Sequence, residues 1–233
     1  MKDEWLAAEF SKQWDVNAST GKGNPTRPEQ LDILTSIIAN NYHPGNLILD
    51  LGFGSGQVEE LIWAKKQNIK IVGVDSSEPM IELAKKRLTP HLHNLEIIKK
   101  NVAELTRSDV PKGTYQFALS VQVFHELTDS ERTKLFKEVY SILEPGGSFL
   151  ILDRIAIDTN IFSESYETIR NRLEDLSPVK SEKTYEEFRR GLAAKDDQVI
   201  PVERYVELLG GAGFKATILH LHLNRALIVG VKA

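Results

Sequence analysis

Glycines at 52, 54 and 56 follow the apolar run Leu47-Ile48-Leu49-Asp50-Leu51 and precede a stretch with helical spacing. Glycine at such positions lets the backbone turn tightly and lie flat against a ligand. The helix that follows offers free N–H groups at its amino end. A cradle of this kind suits a nucleotide-like cofactor, and the spacing narrows the choice. A dinucleotide loop wants glycines at the first, third and sixth positions. Counted from Gly52, the sixth position is Gln57, whose longer side chain obstructs the close approach of a pyrophosphate. Asp75 ends the next apolar run, 19 residues after Gly56. A carboxylate there can accept from both hydroxyls of a ribose, or it can cap the helix that follows. Glycine loop and acid in register read as a nucleoside site.

Other residues that could do chemistry are scattered. His125, in the run Leu119-Ser-Val-Gln-Val-Phe-His-Glu126, lies just past a strand-like segment and can titrate near neutrality. It is a candidate general base, and the competing reading is a packed histidine that positions a helix start. The spacings His91-x-His93 and His220-x-His222 lack an obvious third ligand nearby, so no metal site is expected. Arg154 directly follows another strand-like run and could meet an acidic substrate. With no cysteine in the chain, disulfides, thiolate zinc sites, iron–sulfur clusters and thiol nucleophiles are excluded.

The elements that must position these residues alternate. Strand-like runs span Leu47–Leu51, Ile69–Val74, Leu95–Lys99, Gln116–Val121 and Ser148–Leu152, with helical spacing between them. Pro79 behind Ser76, Ser77 and Glu78 predicts a helix with proline at its first position and a serine cap. Met80, Leu83, Ala84 and Leu88 then share one face. Thr128 and Glu131 have capping-box spacing, and Pro145-Gly146-Gly147 is expected to end that helix and turn into the next strand. Alternating strands and helices predict a parallel sheet covered on both faces. Phe214–Leu221 and Arg225–Val231, separated by a short turn, predict an antiparallel hairpin at one edge. Residues 1–40 are expected to form a helical cap with a polar loop from Asn17 to Thr26. Residues 154–200 are expected to form a helical lid over the crevice of an open α/β sheet. The lid's Phe162, Tyr166, Tyr185 and Phe188 read as core more than pocket.

The chain has 233 residues, 41% of them apolar and 27% charged, which predicts one good-sized domain over 1–233 at roughly 150 residues per domain. Twenty-nine Lys and Arg against 33 Asp and Glu leave a net charge of −4, which argues against a nucleic-acid partner. The first ten residues carry four charges and no apolar run approaches a membrane span, so a soluble, cytoplasmic protein is expected.

With these residues in place, the sequence resembles the class I S-adenosylmethionine-dependent methyltransferases, over about residues 28–153 and 202–233. Asp50-Leu-Gly-Phe-Gly-Ser-Gly56 is similar to the family's first motif, Asp75 to its ribose-binding acid, and Glu144-Pro-Gly-Gly147 to the turn before its fifth strand. The terminal hairpin is similar too. The resemblance implies a Rossmann-like doubly wound α/β sheet of about seven strands, mostly parallel, with an antiparallel C-terminal hairpin strand and a helical lid. It implies S-adenosyl-L-methionine as cofactor and S-adenosyl-L-homocysteine as product. Site roles follow from it: Asp50 in the first motif, and Gly52, Gly54 and Gly56 beside the methionine part. Asp75 would hold the ribose, with Ser76 and Met80 beside the adenine. Asn101-Val102 falls where the family commonly has an acid and a small residue against the adenine. Ser120, Val121 and Gln122 would contact the amino-acid end. Gln116 replaces a frequent Asp and is expected to be structural.

Ser-Val-Gln-Val stands where amide- and base-modifying branches carry an Asn-Pro-Pro-Tyr-type motif, so the implied reaction is O- or N-methylation of a small molecule. Three alternatives remain open: an enzyme of the same fold that alters the cofactor's methyl or transfers another group, an RNA or protein methyltransferase, and a non-catalytic cofactor-binding module. Neither the acceptor nor the oligomeric state is legible in the residues.

Overall fold

All seven residues of the strand Tyr115–Val121 are buried, and its mostly apolar sequence, broken only by Gln116 and Ser120, reflects a strand covered on both faces. In the computed structural model, which describes residues 7–20, 26–176, 180, 183–193 and 197–233, helices supply that cover. The chain enters through α1 (Ala8–Thr20) and α2 (Arg27–Asn41). It then alternates β1 (Leu47–Leu51), α3 (Gln57–Lys65), β2 (Lys70–Asp75), α4 (Glu78–Arg87), β3 (Leu95–Lys99), β4 (Tyr115–Val121), α5 (Asp129–Ile142) and β5 (Leu143–Arg154). The segment after β5 carries α6 (Ser163–Leu176) and α7 (Tyr185–Ala193); α8 (Val202–Gly211) and the hairpin β6 (Phe214–His222) and β7 (Arg225–Lys232) complete the chain.

The sheet order is β3-β2-β1-β4-β5-β7-β6. The first five strands pair in parallel, and β7 pairs antiparallel with both β5 and β6. The seven-stranded sheet and its terminal hairpin agree with the expected architecture. Consecutive connections run outward in opposite directions from β1 and β4, which makes the gap between their carboxyl ends the switch point where α/β sheets bind ligands. One apolar cluster lies under α5 and α8, around Phe124, Phe136, Phe149 and Tyr205. The other lies under α2, α3 and α4, around Leu34, Ile38, Ile62 and Trp63.

Local signals behave as their chemistry requires, with three adjustments. Ser77 caps α4, its Oγ accepting from the Met80 N–H at 3.3 Å, so Glu78 takes the first helical position and Pro79 the second. The Thr128–Glu131 capping box opens α5 as expected. That helix ends at Ile142, and Pro145-Gly146-Gly147 lies inside β5, as an excursion between the register pairs Tyr115–Leu143 and Phe117–Ser148. Asn17–Thr20 belong to α1 rather than to a loop, and residues 21–25 of the expected loop lie outside the described residues. Gln116 is structural: its Nε2 donates to Asn41 O at 2.7 Å and its Oε1 accepts from the His43 N–H at 2.8 Å, tying the end of α2 to β4.

Candidate active site

The glycine loop follows β1 at the switch point. Gly52, Gly54 and Gly56 all take positive φ, at 79°, 56° and 80°. A Cβ at Gly52 would collide with the Val123 side chain, and one at Gly56 would lie 2.7 Å from Leu88 Cδ1. Those two glycines serve handedness and packing. Gly54 is different, because a Cβ there meets nothing closer than Gly52 O at 4.0 Å. Its bare backbone borders open space, as a ligand cradle requires.

Beside the loop, Asp75 Oδ2 accepts from the Gly54 N–H at 2.9 Å and Oδ1 from the Ser77 N–H at 2.8 Å. The carboxylate holds the start of α4, the capping role foreseen for it, and it also stands at the cleft. Burial pushes it above the usual aspartate range against the pull of the Ser77 and Gly54 N–H donors. Deeper in, Asp50 and Glu59 lie fully buried side by side. Burial, and for Asp50 the neighbouring charge of Glu59, raises both above the usual carboxylate range.

An open cleft runs along the carboxyl ends of β1, β2 and β4. Of the residues singled out from the sequence, Gly52, Gly54, Asp75, Ser76, Met80, Asn101, Val102, Val121 and Gln122 all line it. Asp50 borders an adjoining recess with Gly52, Gly54 and Val121. Asn101 Oδ1 already accepts from the Ala103 N–H at 3.1 Å, capping a short turn, and Gln122 holds φ at 61°, a left-handed conformation uncommon for a non-glycine residue. Gly56 and Ser120 do not line the cleft. Gly56 is the left-handed residue before α3, and the Ser120 hydroxyl donates to Leu51 O at 2.9 Å between strands.

His125 is also off the cleft. It is 1% exposed, its Nδ1 lies 2.6 Å from Asp153 Oδ1, and its N–H donates to Asp153 Oδ2 at 2.9 Å. Burial by itself raises Asp153, but the charge and hydrogen bond of His125 and the N–H donors of Arg154 and His125 outweigh it and hold the carboxyl below its usual value. The pair ties the turn after β4 to the end of β5. Among the other histidines, His91 stacks on Trp63 at 5.0 Å and His220 Nδ1 meets Gln30 Nε2 at 3.1 Å. No three His, Asp or Glu among the described residues gather as metal ligands.

The roof of the cleft was not legible in the sequence. Trp14 lines it from α1, and so do Ser77, Val123, Glu126 and Leu127. Asp15, beside Trp14, latches α1 onto the loop. Its two oxygens take the Arg87 guanidinium at 3.0 Å each, Ser55 Oγ donates to it at 2.5 Å, and Gln57 Nε2 donates at 2.7 Å. Burial raises Asp15, and these donors more than reverse that, leaving it below the usual range. Gln57, the residue that breaks the dinucleotide spacing, is thus an anchor for α1. No described residue of 154–200 lines the cleft; that segment joins the body through Asp197 on Arg154 and the Gln198 N–H on His125 O at 2.6 Å.

Fold and cleft together define a Rossmann-like sheet whose switch point carries a cradle suited to a nucleoside cofactor. The sequence profile described as methyltransferase domain matches residues 48–147, and this match, the relatives and the shared fold support a class I S-adenosylmethionine-dependent methyltransferase. It is an enzyme that uses S-adenosylmethionine. The carboxy-S-adenosyl-L-methionine synthase of Nautilia profundicola is 27% identical over 219 residues, covering 91% of this chain and 86% of that protein. The solved CurJ carbon methyltransferase shares the fold, with a TM-score of 0.70 at 15% identity over 100% of this chain and 61% of that one. Human N-acetylserotonin methyltransferase, solved with S-adenosylmethionine, gives a TM-score of 0.60 at 16% identity over 100% of this chain and 60% of that one. No helix among the described residues is long and apolar enough to cross a membrane.

Proposed function

We propose that this enzyme transfers the methyl group of S-adenosylmethionine to an oxygen or nitrogen of a small-molecule acceptor. The observation that carries the reading is the roof. Because α1 is latched over the glycine loop through Asp15 and Arg87, with Trp14 facing the cleft, the site suits a small molecule better than a polymer. The net charge of −4 points the same way. In this reading Gly52 and Gly54 border the methionine part, with Val121 and Gln122 at its amino-acid end. Asp75 accepts from the ribose hydroxyls, and Ser76, Met80, Asn101 and Val102 flank the adenine. Asp50, Gly56 and Ser120 hold the loop and strands in place behind them.

The bound cofactor supplies an electrophilic methyl on a sulfonium. A lone pair on the acceptor forms the new bond to carbon, the C–S pair stays on sulfur, and any acceptor proton leaves to solvent. Alignment and dryness matter more here than a catalytic side chain, and no general base is assigned to His125, which is buried away from the cleft. We read residues 1–233 as one domain, 154–200 as its lid and the cytoplasm as its location. Incubation with S-adenosylmethionine and fractionated metabolite extract tests the function: mass spectrometry should find S-adenosylhomocysteine and one methylated metabolite in equal amounts.

A second reading is favoured by the similarity to carboxy-S-adenosyl-L-methionine synthases, which extends over 91% of the chain and so beyond the methyltransferase profile. In that case the cofactor's own methyl is modified. The same assay would then yield a carboxylated S-adenosylmethionine and no S-adenosylhomocysteine.

A further inference from the structure

Arg154 and Arg225 are register partners across the antiparallel β5–β7 pair, and Arg225 is in turn the partner of His222 across β6–β7. Directly opposed residues project from the same face, so three basic side chains form a row over three strands. One residue pair earlier on that face, Leu152, Leu227 and Val121 belong to the apolar cluster covered by α2. The basic row continues this face just beyond the carboxyl end of β4, whose Val121 and Gln122 line the cofactor cleft. Arg27, the first residue of α2, is 3% exposed and borders the recess behind the glycine loop.

The packing accounts for only part of this arrangement: Arg27 Nη2 donates to Gln57 Oε1 at 3.3 Å and its guanidinium lies over the Trp14 ring, and Arg225 Nη1 donates to Asn224 O at 3.2 Å. Like charges directly opposed in a sheet are destabilising. The nearby carboxylates are largely committed: Asp197 pairs with Arg154, and Asp153 belongs to His125. The Nε atoms of Arg27, Arg154 and Arg225, Nη1 of Arg27 and Nδ1 of His222 are buried with no hydrogen-bond partner among the described residues. Burial, then the charge of Arg154 and more weakly that of Arg27, against pulls from Asp153 and Asp197, push the Arg225 guanidinium down to about 9; burial pushes Arg27 to about 10. Guanidinium groups keep their proton in proteins, so the cost of burial is not escaped by titration. An anion would relieve it.

We propose that Arg27, Arg154 and Arg225 anchor an anionic headgroup, a carboxylate or a phosphate, of the acceptor molecule. This rests on the reading that the adjoining cleft holds S-adenosylmethionine. Either headgroup accepts two parallel N–H bonds from a guanidinium. The row stands at the cofactor's methionine end, so a molecule held there by its charged end would extend toward the reacting sulfur. The acceptor is therefore a small acid.

Calorimetric titration and thermal shift of the protein saturated with S-adenosylhomocysteine test this, with benzoate, phenyl phosphate and benzamide as probes. At least one anion should bind and raise the melting temperature, the stronger of the two naming the headgroup, while uncharged benzamide does neither. Arg225→Gln and Arg154→Gln should each weaken the anion by about tenfold or more, the loss of a charge-assisted bond, and leave S-adenosylhomocysteine affinity unchanged. Arg225→Lys should restore part of the loss. The proposal is overturned if neither anion binds, if benzamide binds as well as benzoate, or if both Gln variants bind the anion like wild type. Should S-adenosylhomocysteine itself fail to bind, the cofactor reading falls, and the same anion titration of the ligand-free protein still decides the arginine site.

Discussion

Asp75 and His125 were both singled out from sequence as residues able to do chemistry, and their surroundings separate them. Asp75 keeps its carboxylate at the cleft even while it holds the Gly54 and Ser77 N–H groups. Asp75→Ala should weaken S-adenosylmethionine and S-adenosylhomocysteine alike by roughly 10–150-fold, the range for a lost bond to a charged group. It should also lower stability, because two N–H groups lose their acceptor; Asp75→Asn restores one. Titration calorimetry with both nucleosides checks this, and unchanged affinity in the Ala variant would reduce Asp75 to a helix cap. His125 has the opposite profile. His125→Ala leaves the buried Asp153 without its partner, a cost of about 3–5 kcal/mol, and His125→Asn, which keeps a donor, should cost less. Cofactor affinity should hold in both. A general base would instead show a turnover loss of about 10²–10⁴-fold with stability intact, and measuring melting temperature beside turnover separates the two.

At the scale of elements, α1 is held by polar contacts. The bidentate Arg87–Asp15 pair, with Arg87 Nη1 also donating to Ser55 O at 2.7 Å, connects α1, the glycine loop and α4. Both partners are mostly buried, so the pair is less screened than a surface ion pair. Arg87→Ala should release α1: amide exchange within residues 8–20 should accelerate, and S-adenosylhomocysteine should bind roughly tenfold more weakly, with little change of exchange in β1 or β4. Unchanged exchange in α1 would show that Trp14 and its apolar neighbours hold the roof without the latch.

Over the whole molecule, the carboxyls divide into two groups with opposite pH behaviour. Asp15 and Asp153 sit below their ordinary value of 3.8, so the stability they contribute is present above that value and lost as pH falls through their folded values. Asp50 and Asp75 sit above it; their contribution is present below 3.8 and lost as pH rises through their folded values. Acid unfolding should therefore follow the first group, and Asp50→Asn should raise stability at neutral pH, with the gain vanishing toward about pH 4. Cofactor binding should weaken on acidification at a pH above the ordinary aspartate value, as Asp75 gains its proton, and Asp75→Asn should flatten that dependence. Melting temperatures and S-adenosylhomocysteine titrations between about pH 4 and 7 read both effects.

The alternating strands and helices, the glycine loop and the acid at the end of β2 were legible because each depends on short-range chemistry. Apolar runs choose strands, Ser77 and Thr128 cap helices through bonds to residues three positions on, and φ above zero selects glycine. The terminal hairpin was legible for the same reason. Contacts between distant residues were not. Nothing local in Trp14-Asp15 says that α1 lies across a loop 40 residues away, since the latch needs Arg87 and Ser55 brought to it by the sheet. Nothing local in His125 says that it faces Asp153 instead of the cleft. Arg154 hinted at an acid, but the row with Arg225 and His222 exists only once β7 inserts between β5 and β6. Local conformation follows from the nearest few side chains, whereas a site is assembled by strand register and helix packing, which bring together residues whose spacing along the chain carries no record of the encounter.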